Sequence, residues 1–129
     1  MDAQHHKETL LFVDDEKNIL DIVSEYFEFK GFQVLTASNG REAVRVLETE
    51  RVDCCFTDIN MPEMDGLEAT AAIRQWEPDG QHIPIIAVTG DGTQEAFEEA
   101  HLAGINDLIV KPIDRDYLVQ TITSILGYG

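Results

Sequence analysis

Short, almost continuously apolar runs alternate along the chain with longer segments in which apolar residues recur every three or four positions. The runs have the length of strands that are covered on both faces, and the longer segments have the period of amphipathic helices. The apolar runs span residues 10–13, 33–37, 53–57, 83–89 and 107–110, and the helical segments span residues 17–30, 41–50, 66–76, 94–103 and 114–126. Five successive strand–helix units predict an α/β fold with one parallel sheet between two helical layers.

Length and charge narrow the classes of function. The 129 residues are enough for one domain, predicted over residues 9–129 after a polar leader at residues 1–8. Twenty-five acidic residues against nine basic ones leave a formal net charge of −16. Such a surface repels phosphate backbones and anionic lipids, so neither a nucleic acid nor a membrane is expected as a partner. The sequence has no apolar stretch approaching ~20 residues and no secretory segment, which predicts a cytoplasmic location.

The two cysteines, Cys54 and Cys55, are adjacent and belong to the third apolar run. Successive residues of a strand point to opposite faces of the sheet, so the two thiols are not expected to pair with each other. We interpret both as small core residues.

Charged or hydroxyl-bearing side chains follow four of the five predicted strands. In an open parallel sheet the carboxyl ends of the strands share one edge, where ligands bind. Carboxylates gathered there repel one another unless a lysine or a cation compensates, and Mg²⁺ favours such oxygen ligands. The residues at these ends are Asp14, Asp15 and Glu16 after the first strand, Asp58 at the third, Thr89 at the fourth and Lys111 at the fifth.

Each of these residues also has a purely structural explanation. The three acids at residues 14–16 could begin the first helix and complement its dipole, and Asp58 could cap a loop. Thr89 could be a hydroxyl with its hydrogen bonds satisfied, and Lys111 a solvated base at the end of a strand. For Asp65 the structural explanation is preferred, because Glu68 three positions later completes the pattern of a helix-capping box. The convergence of four strand ends on one edge favours a functional site for the others.

Four motifs at these strand ends carry a family resemblance: LLFVDDE, FTDINMPEMDG, IIAVTG and LIVKPI. In this order and at these positions they resemble the receiver domain of bacterial two-component response regulators, over residues 10–126. The resemblance implies a flavodoxin-like (βα)5 three-layer sandwich with the strand order 2-1-3-4-5. It also implies a phosphorylation-activated signalling module, which catalyses only its own phosphorylation and dephosphorylation and is not an enzyme in the ordinary sense.

The resemblance assigns roles to individual residues. Asp58 would accept a phosphoryl group from a histidine kinase or a phosphotransfer protein, and Thr89 and Lys111 would contact the phosphoryl oxygens. A downstream effector protein or domain would read the result. The ligands implied for Mg²⁺, or for Mn²⁺, are Asp14, Asp15, Asp58 and the backbone carbonyl of Asn60.

Further positions are expected to modulate this chemistry. Gly90 would leave space for the phosphoryl group, and Pro112 follows the lysine in the motif. The polar residues Asn60 and Asp91 are of the kind that accompanies faster hydrolysis of the acyl phosphate in this family. Leu108 stands where many receivers have an aromatic residue, and we interpret it as a core strand residue. Activation would then reshape the surface of the fourth helix, fifth strand and fifth helix without an aromatic rotamer step.

Three alternative functions fit the sequence less well. An aspartyl-nucleophile phosphatase would need a second acid two residues after the nucleophile, where this chain has Asn60. A flavin-binding protein would need a loop rich in serine, threonine and glycine after the first strand, where this chain has three acids. A degenerate receiver that acts as a constitutive interaction module would not need the acids, the threonine and the lysine, all of which are present.

Overall fold

A computed structural model describes residues 8–58, 66–77, 82–90, 92–111 and 114–126, with the backbone alone at residues 66, 76 and 115. Among these residues, five parallel strands form one sheet in the order β2-β1-β3-β4-β5. The predicted fold and strand order are confirmed. The strands and helices are β1 Thr9–Val13, α1 Lys17–Phe29, β2 Gln33–Ala37, α2 Gly40–Thr49, β3 Cys54–Asp58, α3 Gly66–Trp76, β4 Ile85–Thr89, α4 Gln94–Ala103, β5 Asp107–Val110 and α5 Arg115–Leu126.

Two apolar cores lie on the two faces of the sheet. One contains Leu20 and Phe27 of α1 together with Leu118 and Ile122 of α5, packed on one set of strand residues. The other contains buried residues of α2, α3 and α4, packed on the alternate set. The sheet therefore lies between a layer of two helices and a layer of three, which is the predicted three-layer sandwich.

Local capping explains where several helices begin and end. The Asn39 side chain accepts a hydrogen bond from the backbone of Glu42 at 2.8 Å, so α2 begins at Gly40. Asp114 accepts from the backbone of Asp116 at 2.9 Å, and for this reason α5 begins one residue later than predicted. Such capping satisfies backbone donors that have no partner within the helix.

Strand β4 begins at residue 85 rather than at the predicted residue 83. The N–H of Ile83 donates to the Glu77 carboxylate at 2.7 Å and does not join the ladder of the sheet. Pro84 has no N–H to contribute, although its carbonyl accepts from Cys55 at 2.9 Å. The first regular pair of the strand is therefore formed by Ile85, which lies beside Cys55.

Of the polar leader predicted at residues 1–8, only Glu8 belongs to the described part of the chain. Among the helices that the structure describes, each falls short of the length and apolar character needed to cross a membrane.

Candidate functional site

The acids after β1 and β3 are brought together by the pairing of these two central strands. Phe12 lies beside Phe56 in the parallel ladder, and their rings stack with centroids 5.0 Å apart. The next pair is Val13 with Thr57, after which each chain continues to an aspartate. Parallel pairing in this register places Asp14 and Asp58 at the same level of the sheet edge.

Asp58 is the last residue of β3 and its side chain is 8% exposed. The Lys111 ammonium lies 3.4 Å from Asp58 Oδ2, so the two side chains form a part-buried ion pair. The Thr57 hydroxyl donates to the Asp58 carbonyl at 3.1 Å. The structure thus brings together the predicted acceptor and the predicted lysine.

Lys111 is tied to Thr89 through the backbone. Thr89 pairs with Val110 in the β4–β5 ladder, and the N–H of Lys111 donates to the Thr89 carbonyl at 2.7 Å. Thr89 is buried, whereas Gly90 is exposed, and a Cβ added at Gly90 would meet no atom within 4 Å. Gly90 therefore faces open space, and its role beside a phosphoryl group stays a prediction.

The Asp14 carboxyl is nearly buried at 8% exposure, and its Oδ1 accepts a hydrogen bond from the Glu16 N–H at 2.9 Å. Burial raises the pKa of Asp14 above its ordinary value, and the negative charge of Asp58 raises it further. The Glu16 hydrogen bond and the positive charge of Lys111 act in the opposite direction. Loss of hydration on burial is therefore the main cost of charging the Asp14 carboxyl, and the neighbouring Asp58 adds to that cost.

A group of carboxylates suited to a divalent cation follows β1. Oxygen atoms of Asp14, Asp15 and Glu16 lie within 4.8 Å of one another, and the last two residues are exposed. These are hard oxygen donors, and a divalent cation would offset the cost of keeping the buried Asp14 carboxyl charged. The donor set therefore fits Mg²⁺. Glu16 was not among the predicted ligands, although it follows directly after the two aspartates in the motif.

The remaining predicted site residues fall into two groups. Leu108 is 8% exposed and packs in the core on the α4 side of the sheet, as expected for a core strand residue. Asn60, Asp91 and Pro112 lie outside the described residues, and so does Asp65, the predicted helix cap.

Comparison with protein families tests the resemblance found in the motifs. The family model of the response regulator receiver domain matches residues 10–123. The chain belongs to this family. Receiver domains are generally signalling modules rather than catalysts, and the relatives, which include sensor kinases with receiver domains, are consistent with phosphorylation-dependent signalling by this chain.

The sequence and the structure are similar to several known proteins. The chain is 36% identical, over 96% of its length, to part of the CAI-1 autoinducer sensor kinase/phosphatase CqsS of Vibrio cholerae. The Vibrio cholerae chemotaxis protein CheY4 superposes with a TM-score of 0.86 at 31% identity, covering 93% of this chain and 99% of that one. The receiver domain of the Pseudomonas aeruginosa sensor histidine kinase PA1611 has a TM-score of 0.84 at 30% identity, covering 95% and 99%. That domain was solved with a magnesium ion coordinated in its active-site cleft.

The relatives differ in total length. This receiver domain spans 18% of the sensor kinase/phosphatase and between 13% and 27% of the other four of the first five curated relatives.

Proposed function

We propose that Asp58 is the phosphoacceptor of this receiver domain. The observation that carries the proposal is the position of its buried carboxylate at the end of the central strand β3, with Lys111 3.4 Å from Oδ2 and the acids after β1 at the same edge. In the transfer step, a carboxylate oxygen attacks the phosphorus of a phosphohistidine on a histidine kinase or phosphotransfer protein. The P–N bond breaks as the new P–O bond forms, and the imidazole leaves with the electron pair.

Asp14, Asp15 and Asp58, with the backbone carbonyl of Asn60, would hold the cation, which we propose to be Mg²⁺ or Mn²⁺. When bound, it supplies positive charge to phosphoryl oxygens on which negative charge is concentrated. The fit of the carboxylates after β1 to a hard cation supports this assignment, as does the magnesium ion in the related PA1611 domain. Glu16 is a further oxygen donor within reach of the same group.

Thr89 and Lys111 would contact the phosphoryl oxygens and convert phosphorylation into a change of surface. Moving a two-state equilibrium from about 1:99 to 99:1 requires about 5.5 kcal/mol of differential stabilisation. Hydrogen bonds to charged groups contribute about 1.5–3 kcal/mol each, so the two contacts together reach the required range. The margin is small, and loss of either contact should weaken the switch severely.

The surface expected to change consists of α4, β5 and α5, which a downstream effector protein or domain would recognise. Because Leu108 is an aliphatic core residue, the change would proceed through the loop between β4 and α4, without rotation of an aromatic side chain. NMR chemical-shift changes on binding of beryllofluoride should therefore extend into residues 94–103 and 115–126. Changes limited to the loops of the site would rule out this output surface.

The phosphoacceptor is tested by treating the protein with acetyl phosphate and Mg²⁺ and measuring its intact mass. The native protein should gain the mass of one phosphoryl group, and Asp58→Asn should gain none. Asp21→Asn, which removes an exposed acid from α1, is the matched control and should be modified like the native protein. A native protein that gains no phosphoryl group would instead be a degenerate receiver, and an equal gain on Asp58→Asn would place the acceptor elsewhere.

We expect the receiver domain to occupy residues 9–129 and to act in the cytoplasm. Both expectations come from the sequence and stay predictions.

A further inference from the structure

A polar cluster lies at the amino ends of β4 and β5, at the opposite end of the sheet from Asp58. It is formed around Arg74 of α3, whose side chain is 16% exposed. The guanidinium donates to the Gly104 carbonyl from Nε at 3.1 Å and from Nη2 at 2.8 Å, and to the Ile83 carbonyl from Nη1 at 2.8 Å. Arg74 also pairs with Glu77. Its planar group of donors therefore ties α3 to the segments that precede β4 and β5.

Asn106 connects this cluster to the sheet. Its backbone N–H donates to the Ile85 carbonyl at 2.8 Å, and its Oδ1 accepts from the Ile85 N–H, also at 2.8 Å. The same Oδ1 accepts from Arg74 Nη2 at 2.8 Å. Asn106, the residue before β5, thus binds both the N–H and the carbonyl of Ile85, the first residue of β4. Arg74 in turn holds the Asn106 side chain in place.

The register of β5 on β4 decides where Lys111 lies. From the pair Ile86–Asp107 the ladder runs without interruption to the pair Thr89–Val110, and Lys111 then donates to the Thr89 carbonyl. Strand β5 has four residues and lies at the edge of the sheet, so the ladder that holds it is short. A slip of one residue would turn the lysine side chain to the other face of the sheet.

We propose that Arg74 and Asn106 are positioning residues for the phosphoryl site. They set the register of β5 on β4 from the far end of the sheet. This register places Lys111 one residue beyond the Thr89–Val110 pair, where its N–H reaches the Thr89 carbonyl. The inference rests on the proposed function, in which Thr89 and Lys111 contact the phosphoryl group.

The other half of the site does not depend on the cluster. The acids of the cation site follow β1 and β3, whose register is supported by the stacked rings of Phe12 and Phe56. Loss of the Arg74 cluster should therefore weaken the phosphoryl contacts and spare the cation site. If the cluster only stabilised the fold, its loss would not weaken the phosphoryl contacts while leaving cation binding unchanged.

The two affinities can be measured separately by calorimetric titration of folded protein, first with Mg²⁺ alone and then with beryllofluoride at saturating Mg²⁺. Asn106→Ala, which removes the shared acceptor, and Arg74→Gln, which removes the planar group of donors, should each weaken beryllofluoride binding by about tenfold. Their affinity for Mg²⁺ should stay within about twofold of the native value. Loss of even one hydrogen bond of ordinary strength at the cation site would lower this affinity by more than about twofold. Arg45→Gln, on the exposed face of α2, is the matched control and should change neither affinity.

A conservative variant provides a rescue. Asn106→Asp keeps an acceptor oxygen for Ile85 and Arg74 and should bind beryllofluoride like the native protein. If Asn106→Ala does not fold, Arg74→Lys carries the same test, because it keeps the charge and loses the planar arrangement of donors. Cross-peaks between the amide protons of β4 and β5 should report the altered register in the weakened variants.

Several results would overturn the inference. Unchanged beryllofluoride affinity in both disruptive variants would show that the cluster only stabilises the fold, and so would a parallel loss of both affinities. An Asn106→Asp variant as weak as Asn106→Ala would exclude the acceptor role. A native protein that binds Mg²⁺ and fails to bind beryllofluoride would contradict the proposed function itself, which is a distinguishable result.

Discussion

Lys111 Nζ lies 3.4 Å from Asp58 Oδ2, although a tight charge-assisted hydrogen bond between these groups would measure roughly 2.7–2.9 Å. The lysine is therefore close enough to lower the electrostatic cost of a buried carboxylate without engaging it closely. Its backbone is held by the 2.7 Å hydrogen bond to Thr89. If Asp58 is the phosphoacceptor as proposed, a side chain anchored in this way would be able to shift from the carboxylate to a phosphoryl oxygen on the same aspartate.

Substitution of Lys111 should reveal whether the lysine contacts the phosphoryl group. Lys111→Met would remove the proposed contact between a charged donor and the phosphoryl group, and we expect affinity for beryllofluoride with Mg²⁺ to fall about 10- to 100-fold. Lys30→Met is the matched control, because Lys30 is an exposed lysine at the end of α1. Its ammonium lies 5.6 Å from the centre of the Tyr26 ring. Titration calorimetry provides the measurement. Equal affinities in the native protein and Lys111→Met would remove the lysine from the site.

Asp14 should destabilise the protein when no cation is present. Its carboxyl is buried beside other acids, so Asp14→Asn should raise the melting temperature in EDTA by several degrees. The same variant should lose most of the rise in melting temperature that we expect Mg²⁺ to give the native protein. Thermal denaturation followed by circular dichroism tests both effects. A lower melting temperature of Asp14→Asn in EDTA would contradict this account.

The same carboxyl has a pH signature. Because burial raises the pKa of Asp14 in the folded protein above 3.8, the folded state binds its proton more tightly than the unfolded state does. The favourable contribution of this group is thus present below pH 3.8 and is lost as the pH rises through the raised pKa. The stability difference between Asp14→Asn and the native protein should accordingly grow as the pH rises through this interval in EDTA.

The features that the sequence predicted are those that depend on local pattern. Apolar runs and helical periods located every strand and helix, because each element buries a face of its own. Motifs at the strand ends located Asp58 and Lys111, since the carboxyl ends of parallel strands must meet at one edge. The strand order came from the family resemblance and not from the periodicity.

The Arg74 cluster could not be predicted in the same way. Its hydrogen bonds join Arg74 to Gly104 and Asn106, about thirty positions away, and such contacts leave no periodic signal. Within the helical pattern of α3, Arg74 was simply a polar position. The late start of β4 also depends on a contact without periodic signal, because the Ile83 N–H donates to Glu77, the residue that follows α3.

The phosphoryl group is expected to be short-lived. Asn60 and Asp91 follow two residues after the acceptor and the threonine, and polar residues at these positions can orient a water for attack on the acyl phosphate. The prediction rests on the sequence, because both residues lie outside the described part of the chain. Loss of the phosphoryl mass should be followed after removal of acetyl phosphate, with Mg²⁺ present. Replacement of both residues by alanine should slow the loss, and persistence over many hours in the native protein would exclude the role.

Gly104 should tolerate alanine poorly, whereas Gly90 should tolerate it well. Gly104 ends α4 with a φ of +97°, and a Cβ there would lie 3.2 Å from Cγ of Arg74. We expect Gly104→Ala to lower the free energy of unfolding by about 1–2 kcal/mol, the usual penalty of the left-handed conformation. Gly90→Ala meets open space, so its free energy of unfolding should stay within about 0.5 kcal/mol of the native value. Urea denaturation compares the two, and equal effects would contradict the explanation.

The cysteines offer a direct probe of the two cores. Cys54 packs with the α1 and α5 side of the sheet and Cys55 with the other side, and both thiols are free. Burial raises the pKa of the Cys54 thiol and raises that of Cys55 to about 12, so neither forms the reactive thiolate at neutral pH. Ellman's reagent should therefore label neither residue in the native protein and both in guanidinium.

Because both cores must open before both thiols react, labelling should proceed at the rate of global unfolding and not of a local fluctuation. Mg²⁺ stabilises the folded state if it binds at the carboxylates after β1, and it should then slow the labelling of both cysteines equally. The Asp14→Asn variant is the control, because its labelling rate should be insensitive to Mg²⁺. Rapid labelling of one cysteine in the native state would show instead that one core opens independently of the other.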